Sequence, residues 1–349
     1  MGKREKENYR GCLLGGAIGD SLGFQVEFMT IEEIREAYGE NGVENLKLGM
    51  MKNAEISDDT QMSLFTAEGV LRSKVKMNKE DEENFEEILY HAYIRWLSTQ
   101  ERLHKIMDKY LVNSWVLRRG WFHALKEPEE TCLEVLREEK RGSIEDAVND
   151  SKYSGGVVRV APIGLSYSKQ EAFEKACKCA AITHGHPSGY LSAGVFAFII
   201  AEIIEGSDLI SAVENSLNVL KTYSRHEECE NIIIRALELA NSDKSPIDCI
   251  NELGEGWYAE EILARAIYAS IKYSDNYKKA VLISVNNSGD SDSIASITGN
   301  ILGAYLGVDA IPKEYLENIE LYDTIVSIAD DLLIGYEDSE KWIIKYPAH

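Results

Sequence analysis

The amino-acid sequence predicts an all-α protein, on three observations. First, apolar residues recur at helical spacing through most of the chain. One such set is Leu321, Ile325, Ile328 and Leu332. Second, no stretch sustains the period-two alternation between turn dipeptides that is typical of strands. Third, the most apolar stretch, residues 189–204, is shorter than the ~20 residues that span a bilayer, so it predicts a central core helix.

Length and composition allow a large hydrophobic core. The chain has 349 residues, of which 44% are hydrophobic and 28% charged, enough for one large domain or two small ones. The charge-rich stretch 126–150 is interpreted as a surface connection with one short helix, because only Pro128 and Gly142 interrupt it. We therefore expect a single domain over residues 1–349.

The charge balance restricts the partners. A formal net charge of −22 argues against a basic groove for nucleic acid and against an anionic membrane surface as a partner. The six cysteines are scattered, and the only close pair, Cys177 and Cys179, lacks metal-ligand spacing. We expect reduced, mostly buried thiols and a cytoplasmic location.

The first predicted helix covers residues 9–23 and carries a stripe of glycines. They recur every four residues, at Gly11, Gly15, Gly19 and Gly23. Because glycine costs ~1 kcal/mol relative to alanine inside a helix, the stripe predicts that another backbone packs very closely against it. Asp20 lies near the end of this helix and Glu27 follows in a loop. Taken alone, they indicate helix-end polarity and a solvated acid.

The remaining elements are predicted to be helices joined by loops. After a loop over 39–56, a helix is predicted to begin near Asp59, and another lies behind Gly289 over residues 294–307. The other predicted helices or helical segments cover 82–98, 171–182, 187–204, 208–240, 246–252, 258–274 and 311–333.

Two short acidic segments, each at the start of a predicted helix, carry the strongest functional signal. They contribute the side chains of Ser57, Asp58, Asp59, Asp290, Asp292 and Ser293. Either segment alone is adequately explained by helix capping. Together they supply about six hard oxygen ligands, enough for one or two ions such as Mg²⁺ or Mn²⁺. Neither segment contains His or Cys, which disfavours zinc.

A loop rich in serine and glycine, residues 149–156, precedes an apolar run. Its backbone N–H groups either bind a phosphate or form an ordinary turn. Arg159 lies in apolar surroundings and is expected to pair with a buried acid or carbonyl. His184 follows an Ala/Cys-rich helix and is expected to hydrogen-bond a ligand or the backbone.

Five motifs, in order from about Arg10 to Leu332, together resemble the ADP-ribosylglycohydrolase family. They are the glycine stripe with Asp20 and Glu27, the run Ser57-Asp58-Asp59-Thr60, the run from Ser154 to Gly164, the pair Thr183-His184, and Gly289-Asp290-x-Asp292-Ser293. This chain has Ser57 where many members have threonine, which keeps the hydroxyl. Tyr153 stands where glycine is frequent.

The resemblance implies an all-α globule with a binuclear Mg²⁺ or Mn²⁺ centre. The metal ligands it implies are Ser57, Asp58, Asp59, Asp290, Asp292 and Ser293, with Asp292 bridging. It further implies that Asp58, Asp59 and Glu27 are catalytic, with Glu27 on a mobile flap. The substrate-binding residues it implies are Asp20, Ser151, Gly155, Gly156 and His184, with the glycine loop around the diphosphate of ADP-ribose.

The implied function is hydrolysis that removes ADP-ribose from an ADP-ribosylated protein or small molecule. The linkage is to an arginine nitrogen or a serine oxygen. An alternative is a catalytically inactive homologue that binds ADP-ribose, because a shared fold does not secure an activity. A third reading, a metal-dependent phosphoesterase, is disfavoured because the His/Asp clusters of such enzymes are missing.

Overall fold

The computed structural model describes residues 2–80, 84–100, 114–119 and 124–348. Within these residues every regular element is a helix, and the β-structure consists of three isolated bridges, such as the one between Tyr153 and Tyr258. The all-α prediction is therefore confirmed.

The α-helices of the described residues are numbered in chain order. The first nine are α1 (Lys6–Phe24), α2 (Ile31–Tyr38), α3 (Asp58–Glu80), α4 (Phe85–Gln100), α5 (Glu130–Arg137), α6 (Ala161–Ser166), α7 (Lys169–Ala181), α8 (Pro187–Glu205) and α9 (Leu209–Leu220). The others are α10 (Glu227–Ala240), α11 (Pro246–Asn251), α12 (Ala259–Lys272), α13 (Tyr277–Val285), α14 (Ser291–Leu306), α15 (Lys313–Leu316), α16 (Tyr322–Ile334) and α17 (Glu340–Lys345). Single 3₁₀ turns lie at Ser154–Gly156, Val158–Val160 and Val308–Ala310.

Helices α1 and α14 pack antiparallel with their backbones in contact. The facing pairs are Gly11 and Gly303, Gly15 and Gly299, and Gly19 and Ala295. At each of these glycines of α1 an added Cβ would overlap a backbone carbonyl of α14. The stripe ends at Gly23, which lies against the backbone of Asp292. The glycines of α1 thus fix the N-terminus of α14, and its acidic residues, beside the end of α1.

Asp20 joins α1 to the start of α3. Its carboxylate accepts hydrogen bonds from the backbone N–H groups of Ser57 (3.0 Å) and Thr60 (3.2 Å), and from the Thr60 hydroxyl. These N–H groups have no partner within the helix, so a carboxylate from α1 performs the role of an N-cap. The contact holds the first acidic segment against the same end of α1.

Helix α8 is buried from Pro187 to Ile204 and forms the centre of the core. It is long and apolar enough to cross a membrane, but its apolar window is entirely buried inside the protein, as in a core helix. His186 caps its N-terminus through a side chain that accepts from the Ser188 N–H, and Gly206 follows its last residue with φ +108°. Such a positive φ favours glycine at the helix end.

Four helices were not predicted from the sequence: α2, α6, α13 and α17. Helix α2 buries only Ile34, so it lacks the apolar periodicity on which helix prediction rests. Its Thr30 and Glu33 form a capping box, a sequence signal that could have located it. The predicted helix 82–98 is observed as α4, and residues 82 and 83 lie outside the described part.

Candidate metal centre

The two acidic segments meet in one cavity of about 440 Å³. It is lined by Glu27, Phe28, Asp58, Asp59, Leu125, Glu127, Pro128, Glu129, Glu130, Leu133, Tyr153, Ser154, Trp257, Asp290, Asp292 and Ser293. Eight of these side chains are carboxylates, and no lysine or arginine is among the described residues that line it. A larger cavity, about 780 Å³, lies beside Arg118 and Tyr322 and contains none of the predicted site residues.

The N-terminus of α14 positions the second acidic segment. Asp290 caps the helix, and its carboxylate accepts from the Ser293 N–H at 3.2 Å. The Asp292 carboxylate accepts from the same N–H at 3.0 Å. The Ser293 hydroxyl then donates to Asp59 Oδ2 at 2.8 Å. This hydrogen bond directly links segments that are 234 residues apart in the sequence.

The first acidic segment sits at the N-terminus of α3. The Asp59 N–H donates to the Ser57 hydroxyl at 3.2 Å, and Asp58 Oδ2 accepts from the Glu129 N–H at 3.2 Å. Ser57 is fully buried and is not among the cavity-lining residues, whereas Asp58 and Asp59 reach the cavity. Asp20 is also fully buried, and burial raises its pKa to about 6 despite the hydrogen bonds from α3.

Glu27 approaches the second segment from the loop after α1. One carboxylate oxygen from each of Glu27, Asp290 and Asp292 lies within 4.8 Å of the others, a grouping that could hold a metal ion. The short chain from Gly23, which touches Asp292, to Glu27 accounts for this approach. The structure therefore brings Glu27 to the cation-binding residues that the sequence predicts.

Burial and mutual repulsion perturb the carboxyl groups of the cavity. Burial, and then the charges of Asp290 and Asp58, raise the pKa of Glu27 to about 9. Burial likewise raises the pKa values of Asp59 and Asp292 well above the ordinary range, and neighbouring carboxylates add to both shifts. So many buried acids are costly without compensating positive charge.

The residues present fit a divalent cation. Their donors are carboxylate and hydroxyl oxygens, the ligands that Mg²⁺ and Mn²⁺ prefer. A bound cation would supply the positive charge that is missing from the described lining residues, and would lower the raised pKa values of the acids. The structure thus contains a candidate acidic metal-binding site.

Metal binding is expected to release protons, because the ligands must ionise. In the metal-free protein the native state holds protons that the unfolded chain loses, since the pKa of Glu27 rises from an ordinary value of 4.5 to about 9. Stability without metal should therefore fall as pH rises from about 4.5 to about 9. Titration calorimetry at pH 7 in buffers of different ionisation enthalpy should detect protons released on Mn²⁺ binding.

The variant Glu27→Gln is the matched control for proton release. It keeps the size of the side chain but has no proton to lose, so it should release about one proton fewer than the wild type. If both proteins released the same number of protons, or if the wild type released none, Glu27 would not be a group that loses its proton when the cation binds.

The predicted substrate-binding loop lies beside the cavity, behind Glu129. Gly155 and Gly156 are buried in the 3₁₀ turn, and the Gly155 N–H donates to the Glu129 carboxylate. His184 is fully buried, with Nε2 at 2.9 Å from Glu129 Oε1. The Ser151 hydroxyl pairs with that of Thr131 at 3.2 Å. Among the cavity-lining residues described, Ser154 is the one contributed by the 3₁₀ turn.

Glu129 was missed by the sequence analysis. It lies in the charge-rich stretch interpreted as surface, yet its backbone binds Asp58 and its side chain binds both Gly155 and His184. Burial alone would raise the pKa of Glu129, but the charge of His184 and the hydrogen bonds hold it below the ordinary value. No local pattern separates Glu129 from its exposed neighbour Glu130.

Arg159 holds Thr183, the residue that pairs with the His184 ring, through buried hydrogen bonds. Its guanidinium donates to the Cys179 carbonyl at 2.9 Å and to the Thr183 hydroxyl at 2.8 Å. Its centre lies 4.2 Å from the Tyr93 ring centroid, a cation–π contact. The Thr183 hydroxyl in turn pairs with His184 Nδ1 at 2.8 Å. The predicted carbonyl partner of Arg159 is therefore present, and a hydroxyl accompanies it.

Comparison with known proteins identifies the same family that the sequence motifs resemble. A model of the ADP-ribosylglycohydrolase family matches residues 1–341. The ADP-ribosylarginine hydrolase Tri1 of Serratia proteamaculans is 26% identical, over 93% of this chain and 78% of that protein. The ADP-ribosylhydrolase ARH3 of Gallus gallus is 25% identical, over 93% of this chain and 92% of its own.

The fold is also found in a solved structure. It is described as an ADP-ribosylglycohydrolase-related protein complex and superposes with a TM-score of 0.56 at 21% identity. The match covers 95% of this chain and 99% of that one.

Proposed function

Because the chain belongs to the ADP-ribosylglycohydrolase family, we propose that it removes ADP-ribose from modified acceptors and uses two divalent cations, Mg²⁺ or Mn²⁺, to do so. One observation carries the proposal: the hydrogen bond from the Ser293 hydroxyl to Asp59 unites two distant acidic segments in a single cavity. A capping role for either segment would not require them to meet.

The residues proposed to hold the cations are the six oxygen-bearing side chains of the two segments, Ser57, Asp58, Asp59, Asp290, Asp292 and Ser293. Bound cations would orient the ribose diol and a water molecule, and would act as Lewis acids. Asp290, Asp292 and Ser293 reach the cavity from α14, and Asp58 and Asp59 from α3.

The chemistry assigned to the protein is proton transfer and charge stabilisation. Cleavage of the bond at ribose C1″ builds oxocarbenium-like charge, which the surrounding carboxylates offset. Asp58 or Asp59 accepts a proton from the attacking water. Glu27, which is ionised once the cations are bound, takes up that proton and delivers it to the leaving group.

Mass spectrometry of ADP-ribosylated peptides tests the proposal. An arginine-modified and a serine-modified peptide are incubated with the protein and either Mg²⁺ or Mn²⁺. We expect at least one peptide to lose its ADP-ribose, and calorimetry to show two cations per chain. Tight ADP-ribose binding without release from either peptide would instead indicate the inactive binding homologue, and liberated inorganic phosphate a phosphoesterase.

A further inference from the structure

The charges around the cavity suggest which acceptor it takes. Two divalent cations would offset four of the eight lining carboxylates. Of the three glutamates on the segment before and at the start of α5, Glu129 is bound by His184 and Gly155, and Glu130 pairs with Arg137 at 2.6 Å. Glu127 makes no ion pair with the residues described here. A carboxylate without an ion-pair partner attracts a cationic group of a ligand.

The position of Glu127 is defined by its backbone and by Glu27. Its φ of +52° lies in the left-handed region, where a glutamate is uncommon. Pro128 follows directly and fixes the backbone φ on that side of the turn. The Glu127 charge is near enough to Glu27 to act on it electrostatically. Glu127 and Glu27 therefore line one cavity, in which Glu27 would protonate a leaving group.

Two aromatic rings, those of Phe28 and Trp257, also line the cavity. Phe28 follows Glu27 and is 68% exposed, which is unusual for a large apolar side chain. Its ring stacks on Trp257, with centroids 6.3 Å apart and planes 13° from parallel. Packing in the core does not require Phe28 here, whereas ring faces beside a carboxylate are a recurring way to bind a guanidinium.

We propose that Phe28, Trp257 and Glu127 form the acceptor subsite and select a cationic acceptor, the guanidinium of ADP-ribosylated arginine, over the neutral oxygen of serine. The inference rests on the proposed ADP-ribose hydrolysis and assigns its acceptor. The stacked pair of Phe28 and Trp257 offers an aromatic surface to the planar guanidinium, and Glu127 supplies the opposite charge. A serine linkage would gain from neither contact.

Peptide kinetics with two variants test the subsite. Glu127→Gln removes the charge, and Phe28→Leu removes the aromatic face but keeps an apolar side chain. For the ADP-ribosylated arginine peptide each should raise KM by about fivefold with kcat nearly unchanged, as expected for one exposed charge or one cation–π contact. For the serine peptide KM should stay within about twofold. In the wild type, added NaCl should raise KM for arginine more than in Glu127→Gln.

Glu134→Gln provides the matched control, since Glu134 is an exposed acid of α5 outside the cavity lining. It should leave KM for both peptides unchanged. Equal KM changes for arginine and serine, or a wild-type preference for serine, would overturn the acceptor assignment while ADP-ribose hydrolysis stands. Failure of the wild type to release ADP-ribose from both peptides would overturn the hydrolase proposal and this inference with it.

Discussion

The variant Asp292→Asn is expected to release ADP-ribose about a thousandfold more slowly than the wild type. Metal-ion catalysis supplies several kcal/mol of charge stabilisation, and losing ~4 kcal/mol of it corresponds to this factor. Asparagine is nearly isosteric with aspartate and keeps an acceptor for the Ser293 N–H, so α14 should begin as before. The deficit should therefore appear as weaker Mn²⁺ binding by calorimetry, with an unchanged helical circular dichroism spectrum.

The same variant should be more stable than the wild type when EDTA removes the cations. Burial and the charges of Glu27, Asp290 and Asp59 raise the pKa of Asp292 well above its ordinary value. An acid whose pKa is raised on folding destabilises the native state increasingly as pH rises. Asparagine cannot ionise, so the melting temperature in EDTA should exceed that of the wild type by about 2 °C or more at pH 9, with a smaller difference at pH 6.

Asp309→Asn serves as the control for both measurements. Asp309 is exposed in the 3₁₀ turn that follows α14, and the substitution changes the charge by the same amount. Activity and melting temperature should match those of the wild type. Wild-type activity in Asp292→Asn after chelation and metal add-back would remove Asp292 from the proposed metal ligands. Lower stability in EDTA would show that the carboxylate serves the fold instead.

Much of the fold follows from local sequence patterns, because a helix is encoded within one stretch of chain. The apolar periodicity around Ile325 and the apolar run that became α8 sufficed for the all-α prediction. Helix α2 was not predicted, because its single buried side chain gives no apolar periodicity in the sequence. The glycine stripe of α1 indicated close backbone packing, but its partner α14 is known only from the tertiary structure.

The residues of the candidate site were also only partly predictable from local sequence patterns. Two pairs of acids could be recognised from the sequence, Asp58 with Asp59 and Asp290 with Asp292. Each pair lies at the start of a helix, where capping requires only one carboxylate. Their meeting depends on packing across 234 residues, which no local pattern encodes. Glu129 could not be distinguished from the acids around it, because its partners come from three other parts of the chain.

The variant Gly303→Ala is expected to lower the free energy of unfolding by about 3 kcal/mol, at the upper end of ordinary overpacking. Helix propensity alone predicts the opposite, a gain of ~1 kcal/mol. The structure decides between them, because a Cβ at Gly303 would overlap the carbonyl oxygen of Gly11, and backbone atoms of two long helices cannot move aside locally. Urea unfolding and soluble yield measure the effect.

Gly69→Ala is the matched comparison for the same change inside α3. There the nearest atom is the end of the flexible Leu89 side chain, and the nearest backbone atom is 3.6 Å away, so stability should change by no more than ~1 kcal/mol. A Gly303→Ala protein as stable as the wild type would show that α1 and α14 are not in backbone contact. Because this contact also sets the position of Asp292 beside Gly23, a folded Gly303→Ala protein should bind Mn²⁺ more weakly, whereas Gly69→Ala should bind it as the wild type does.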